Sequence, residues 1–137
     1  MIFLDTNVVS ETLRKSPDEG VIAWLVRHDA ELALPTVTIA EIAFGIAKIR
    51  PDERALRLEQ GLADWRRRFA DRIFGLTEEA ALAYGEIMGR AARHGTSMSA
   101  PDGMIAAIAT VNGGRLATRN LADFRAVEIE LVSPWKP

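Results

Sequence analysis

The chain has 137 residues, 48% of them apolar, a net charge of −2 and no cysteine. It is therefore long enough to bury a core as one domain over residues 1–137, and it excludes a disulfide scaffold, a thiolate metal site and a cysteine nucleophile. The near-balance of 17 basic and 19 acidic residues is not that of a globally basic nucleic-acid binder. No apolar run approaches a bilayer span, and the N-terminus lacks the basic region and small-residue cleavage site of a signal peptide, so no membrane association and a cytoplasmic setting are expected.

Taken in chain order, Ile2 to Leu4 is an apolar run suited to a strand buried on both faces, and it ends on Asp5. Val8 to Leu13 begins a helix that Ser16-Pro17-Asp18 punctuates, and Val21 to His28 has helical spacing. Glu31 to Leu34 is a second strand, stopped by Pro35. A strong helix starts at Thr38, with Ile39, Ile42, Ala43, Ile46 and Ile49 on one face and Pro51 just past its end. Arg54 to Ala70 is helical, with the stripe Leu58, Leu62, Trp65 and Phe69. Ile73 to Leu76 is a brief strand. Glu78 to Arg93 is helical, with Gly95 as its stop. Pro101 to Val111 is a helix closed by Asn112-Gly113-Gly114, and Arg115 to Thr118 and Glu130 to Val132 read as the last strands. This alternation predicts an α/β fold with a parallel sheet and helices on both faces. Sites in such sheets form beyond the carboxyl ends of the strands, where strand order reverses. Asp5 and the segment Thr118-Arg119-Asn120 lie at such ends.

Glu41 is expected in the first turn of the helix after strand two, and Asp102 in the first turn of the helix Pro101 to Val111. If these segments are neighbours, Asp5, Glu41 and Asp102 share one cleft. Each acid has a purely structural alternative. Thr38-Ile39-Ala40-Glu41 reads as a capping box, Asp102 beside Pro101 suits the helix macrodipole, and Asp5 can cap the following helix. Several carboxylates in one cleft repel and raise one another's pKa, and a divalent cation resolves that repulsion. With no cysteine or histidine alongside, the ion expected is hard, Mg²⁺ or Mn²⁺, and the chemistry is phosphodiester hydrolysis by an activated water.

Four segments carry a resemblance. They are Ile2-Phe3-Leu4-Asp5-Thr6-Asn7, Thr38-Ile39-Ala40-Glu41, Ala100-Pro101-Asp102-Gly103-Met104-Ile105-Ala106-Ala107, and Leu116-Ala117-Thr118-Arg119-Asn120-Leu121-Ala122-Asp123-Phe124. In this order they resemble the PIN-domain ribonucleases, most of all the VapC and FitB toxins of bacterial toxin–antitoxin pairs. The closing Val132-Ser133-Pro134-Trp135 is similar to the FitB-type tail. The resemblance covers essentially the whole chain. It implies a three-layer α/β/α sandwich with a central parallel sheet of about five strands. It also implies a Mg²⁺- or Mn²⁺-dependent endoribonuclease, a homodimer that forms a tetramer or larger assembly with a small antitoxin, and DNA contact only through that antitoxin. Asp5, Glu41 and Asp102 would be the metal-binding acids, and Thr6 and Thr118 match the small hydroxyl positions near them. The family's fourth acid falls on Asn120, which carries no charge, and Asp123 is the acid nearest to replace it; otherwise Asp123 is a solvated acid or a cap on a short final helix.

Other residues attract competing readings. His28 and His94 have no partner at metal spacing. Arg66-Arg67-Arg68 is a solvated face or else an RNA or partner contact, and Trp24, Trp65 and Trp135 are core or interface residues more than base-stacking platforms. Arg119, beside the cleft, is placed to meet a scissile phosphate. No Walker A loop or Rossmann glycine fingerprint is present. An aspartyl phosphatase would need an acid two residues after Asp5, where Asn7 stands. Asn120 keeps open a non-catalytic RNA- or partner-binding protein with a weakened metal site.

Overall fold

The computed structural model describes residues 1–136. Five short strands, β1 (Ile2–Leu4), β2 (Leu32–Pro35), β3 (Ile73–Phe74), β4 (Arg115–Ala117) and β5 (Leu131–Val132), form one sheet in the order β3-β2-β1-β4-β5. All four pairings are parallel, with Ile2 opposite Leu32 on one side of β1 and opposite Arg115 on the other. Parallel neighbours require crossovers. The helices α1 (Thr6–Thr12), α2 (Glu19–Arg27), α3 (Thr36–Ile49), α4 (Arg54–Arg68), α5 (Glu78–Arg93) and α6 (Ala100–Val111) supply them.

The period-two alternation of a strand sorts the core into two layers. Ile2 and Leu4 of β1 join Leu32 and Leu34 of β2, and there they meet Val8 and Val9 of α1, Trp24 and Leu25 of α2, Ile42 and Ile46 of α3 and Leu62 of α4. Phe3, Ala33 and Leu116 point the other way, onto Ala80 and Ile87 of α5 and Ile105 to Ala109 of α6. The molecule is thus the expected α/β/α sandwich. The turn before β4 needs Gly113, whose φ is +64°, and a Cβ on Gly114 would lie 2.6 Å from the Phe3 ring and 3.1 Å from the Met1 carbonyl oxygen. Non-glycine residues avoid the first geometry and cannot fit the second.

Several boundaries differ from the sequence expectations. Helix α1 starts at Thr6, not Val8, because Asp5 caps it and accepts the Thr6 N–H at 2.8 Å. Strand β2 runs through Pro35, and α3 begins at once at Thr36. The capping box Thr38–Glu41 is therefore absent. Thr38 lies inside the first turn, fully buried, and donates its hydroxyl to the Leu4 carbonyl at 2.9 Å. Glu41 falls in the second turn instead of the first. Phe69, assigned by its spacing to the α4 stripe, sits at the C-cap and is wholly buried in the core. Strand β3 is two residues long and stops before Gly75 and Leu76.

Candidate active site

The chain winds from β1 outward to β2 and β3, then returns to place β4 on the opposite side of β1. Strand order therefore reverses between β1 and β4, and the crevice at their carboxyl ends is the expected ligand site. The Asp5 N–H donates to the Ala117 carbonyl at 3.0 Å, which fixes the ends of the two strands side by side. Asp5 is 4% exposed. Its Oδ2 accepts the Thr118 hydroxyl at 2.7 Å, and Oδ1 accepts the Thr6 N–H.

The other predicted residues gather around this carboxylate. The Thr6 hydroxyl donates to Glu41 Oε1 at 2.5 Å, so this one residue of the strand–helix turn binds two of the acids, Asp5 through its N–H and Glu41 through its hydroxyl. Asp102 stands at the third position of α6, and its N–H donates to the hydroxyl of the N-cap Ser99 at 3.3 Å. Asn120 turns its N–H onto the Thr118 hydroxyl at 3.1 Å, and Arg119 donates its N–H to Asn7 Oδ1 at 3.2 Å. Asp123 lies in the 3₁₀ turn Leu121–Phe124, exposed, and its side chain makes no cap there. From Thr6 and Glu41 an apolar groove of about 380 Å³ runs between α1, α3 and α4, past Leu13, Gly45 and Leu58 to Lys48.

The electrostatics show that the acids share a field. Burial pushes the Asp5 carboxyl up from the ordinary 3.8 to about 6; the Thr118 and Thr6 hydrogen bonds pull it down, and the charges of Asp102 and Glu41 push it further up. Asp102 is also raised, first by burial and then by the charges of Glu41 and Asp123, against the lowering effect of Ser99. Asp123, though exposed, thus acts on Asp102 across the cleft, whereas Asn120 contributes only its backbone. Among the described residues none of Asp5, Glu41, Asp102 and Asp123 forms an ion pair.

Among the described residues, too, no group of three histidine, cysteine, aspartate or glutamate side chains is arranged to hold a metal ion. Thr118 engages Asp5 and Thr6 engages Glu41. The donor chemistry nonetheless fits a hard hydrated cation. The donors are all oxygen, the acids have no ion-pair partner among the described residues, and Mg²⁺ characteristically takes only one or two carboxylates and keeps its water.

Residues outside the cleft find structural partners. His28 stacks on Trp24 and its Nδ1 meets the Trp24 carbonyl oxygen, while His94 Nδ1 meets the Arg90 carbonyl oxygen. Arg67 pairs with Asp64 and Arg68 with Asp29. Trp65 donates its ring N–H to the Thr12 hydroxyl at 2.9 Å. Two contributions escaped the sequence reading. Ser99 caps α6; its place three residues before Asp102 is a usable signal. Glu11, 4% exposed, accepts the Asp18 N–H and the Arg14 guanidinium and so closes the α1–α2 turn; an acid among α1 positions gives no hint of that.

Comparison with known proteins supplies an independent line. A model of the family described as "PIN domain" matches residues 2–130. Toxin FitB of Neisseria gonorrhoeae is 38% identical over 98% of this chain and 99% of its own length. VapC ribonuclease Y4jK of Sinorhizobium fredii is 34% identical over 100% of this chain and 99% of its own. The crystal structure of FitAcB from Neisseria gonorrhoeae superimposes with a TM-score of 0.87 at 36% identity, covering 98% of this chain and 99% of that one.

Proposed function

The chain belongs to the PIN-domain family, alongside the VapC and FitB proteins, and from that premise we propose that it is the endoribonuclease toxin of a toxin–antitoxin pair, dependent on Mg²⁺ or Mn²⁺. The observation that carries this reading is the pair Asp5 and Asp102 at the strand switch point, whose carboxyls are raised by burial and further by the charges of Glu41 and Asp123, with no ion pair to any of the four acids among the described residues. Such a set is costly to fold and is explained by a ligand that neutralises it.

Asp5 and Asp102, with Glu41 and Asp123 alongside, would hold the ion. When bound, it would lower the pKa of a water and offset the charge that develops on a phosphodiester. The chain's own residues supply the rest. Thr118 and the Thr6 N–H hold the two Asp5 oxygens in place. Thr6 holds Glu41 through its hydroxyl, and Ser99 secures the helical turn that carries Asp102. Asp123 supplies the charge that Asn120 lacks, which favours catalysis over a degraded binding site. The apolar groove beginning at Thr6 and Glu41 suits a segment of a small antitoxin, in an assembly of a homodimer with its partners that reaches DNA only through them. A cytoplasmic setting accords with an RNA substrate.

The test is to incubate purified protein with total cellular RNA, with Mn²⁺, with Mg²⁺ and with chelator, and to map new RNA ends. Defined ends that require metal and vanish in Asp5→Asn are expected. Cleavage that persists in Asp5→Asn, or in chelator, would refute the reading.

A further inference from the structure

The cleft is anionic and its proposed substrate is a polyanion, so something must receive phosphate at the rim. Arg119 lies in the segment that follows β4, at the edge of the cleft. Its backbone is tied to α1 through Asn7, and the preceding residue, Thr118, binds Asp5. Arg119 is exposed and, among the described residues, pairs with no carboxylate. Arg115, four residues earlier, reaches both Glu31 and Glu130. The Arg119 guanidinium lies over the ring of Trp135, 5.0 Å from its centroid. A ring face attracts a cation without neutralising it, so the guanidinium's N–H donors stay available for a phosphate.

The contact is built into the sheet. Ala117 of β4 pairs with Val132 of β5, and the Thr118 N–H donates to the Val132 carbonyl at 3.0 Å. The chain beyond β5 therefore leaves the sheet beside the segment that carries Arg119. Pro134 is buried, the Trp135 N–H donates to the Ser133 hydroxyl at 3.3 Å, and the Trp135 ring rests on the apolar core of the α1–α4 side. Trp135 is thus a half-buried platform, and Arg119 is an exposed side chain laid upon it.

The geometry points to a phosphate-receiving pair: Arg119 contacts the backbone of the RNA at the rim of the acidic cleft, and Trp135 is a positioning residue that holds the guanidinium there. This rests on the ribonuclease reading and adds to it a substrate contact that lies outside the acidic set. Fixing the arginine on a ring lowers the side-chain entropy lost on binding, so the effect belongs in substrate affinity more than in turnover.

The experiment uses the full chain and a short random-sequence RNA pool. Metal-free binding is measured across a salt series, and cleavage with Mn²⁺ is measured separately. Arg119→Ala should weaken binding about 10-fold and flatten the salt dependence by roughly 0.7 in log–log slope, with apparent KM rising and kcat little changed. Trp135→Leu, which fills the same apolar site without a π face, should raise KM about 2- to 5-fold, and Trp135→Phe should restore it. In an Arg119→Ala background, Trp135→Leu should add nothing. The proposal is overturned if Arg119→Ala binds and cuts with unchanged affinity, or if the leucine effect persists without the arginine. Should the wild type bind but never cut, the ribonuclease reading fails while the binding series still decides the role of Arg119.

Discussion

Asp5 has the most to lose and the most to give at the scale of one residue. Its carboxyl is raised to about 6, so the folded state binds that proton more tightly than the unfolded chain. Stability contributed by this group is therefore present below the ordinary carboxylate value and falls as pH rises from about 4 through about 6. The cost at neutral pH amounts to as much as about 3 kcal/mol. Asp5→Asn should remove it: the variant should lose metal-dependent RNA cleavage yet unfold at higher denaturant concentration at pH 7, and its stability between pH 4 and 6 should change less than the wild type's. Equal denaturation midpoints at pH 7 would contradict the assignment. Thr118→Val should act in the opposite sense. It strips the hydroxyl that Asp5 accepts, and losing a buried hydrogen bond to a charged group costs about 1.5–3 kcal/mol, which a chemical melt at pH 7 would read directly.

Among the elements, α6 and the turn before β4 are where packing controls chemistry. Asp102 occupies the first turn of a helix whose cap is Ser99. Ser99→Ala should destabilise the protein by about 1 kcal/mol and lower cleavage further than that loss predicts, because the frayed turn carries a site carboxylate; hydrogen exchange at the start of α6 would reveal it. Gly114→Ala tests the other element. The added methyl group would meet the Phe3 ring and the Met1 carbonyl oxygen, and neither can yield without moving β1. A loss of about 1–3 kcal/mol is expected, measured by the denaturation midpoint, with altered cleavage because β1 ends on Asp5.

For the whole molecule, the acidic crevice links folding to cation binding. Added Mg²⁺ or Mn²⁺ should raise the melting temperature, more at pH 7 than at pH 5, since protons and the ion compete for the same oxygens; Asp5→Asn should blunt that rise. At the same scale the sequence and the structure divide their work. Local patterning was sufficient for the alternation of elements: the apolar runs Ile2–Leu4 and Leu32–Leu34, the stripe through Ile42 and Ile46, and the glycine-rich close after α6 are short-range signals with fixed periods. Whether Asp5, Glu41 and Asp102 share a cleft hung on which segments are neighbours, and the place of Asp123 on resemblance, because strand order is a long-range property that no local period encodes. Three matters waited for tertiary structure. Thr38 left its expected cap because the close approach of β1 offered its hydroxyl the Leu4 carbonyl. Glu41 was claimed by Thr6, thirty-five residues earlier in the chain. Trp135 found Arg119 because β5 pairs with β4. In each case the partner is set by packing across the sheet, where distance along the chain carries no information.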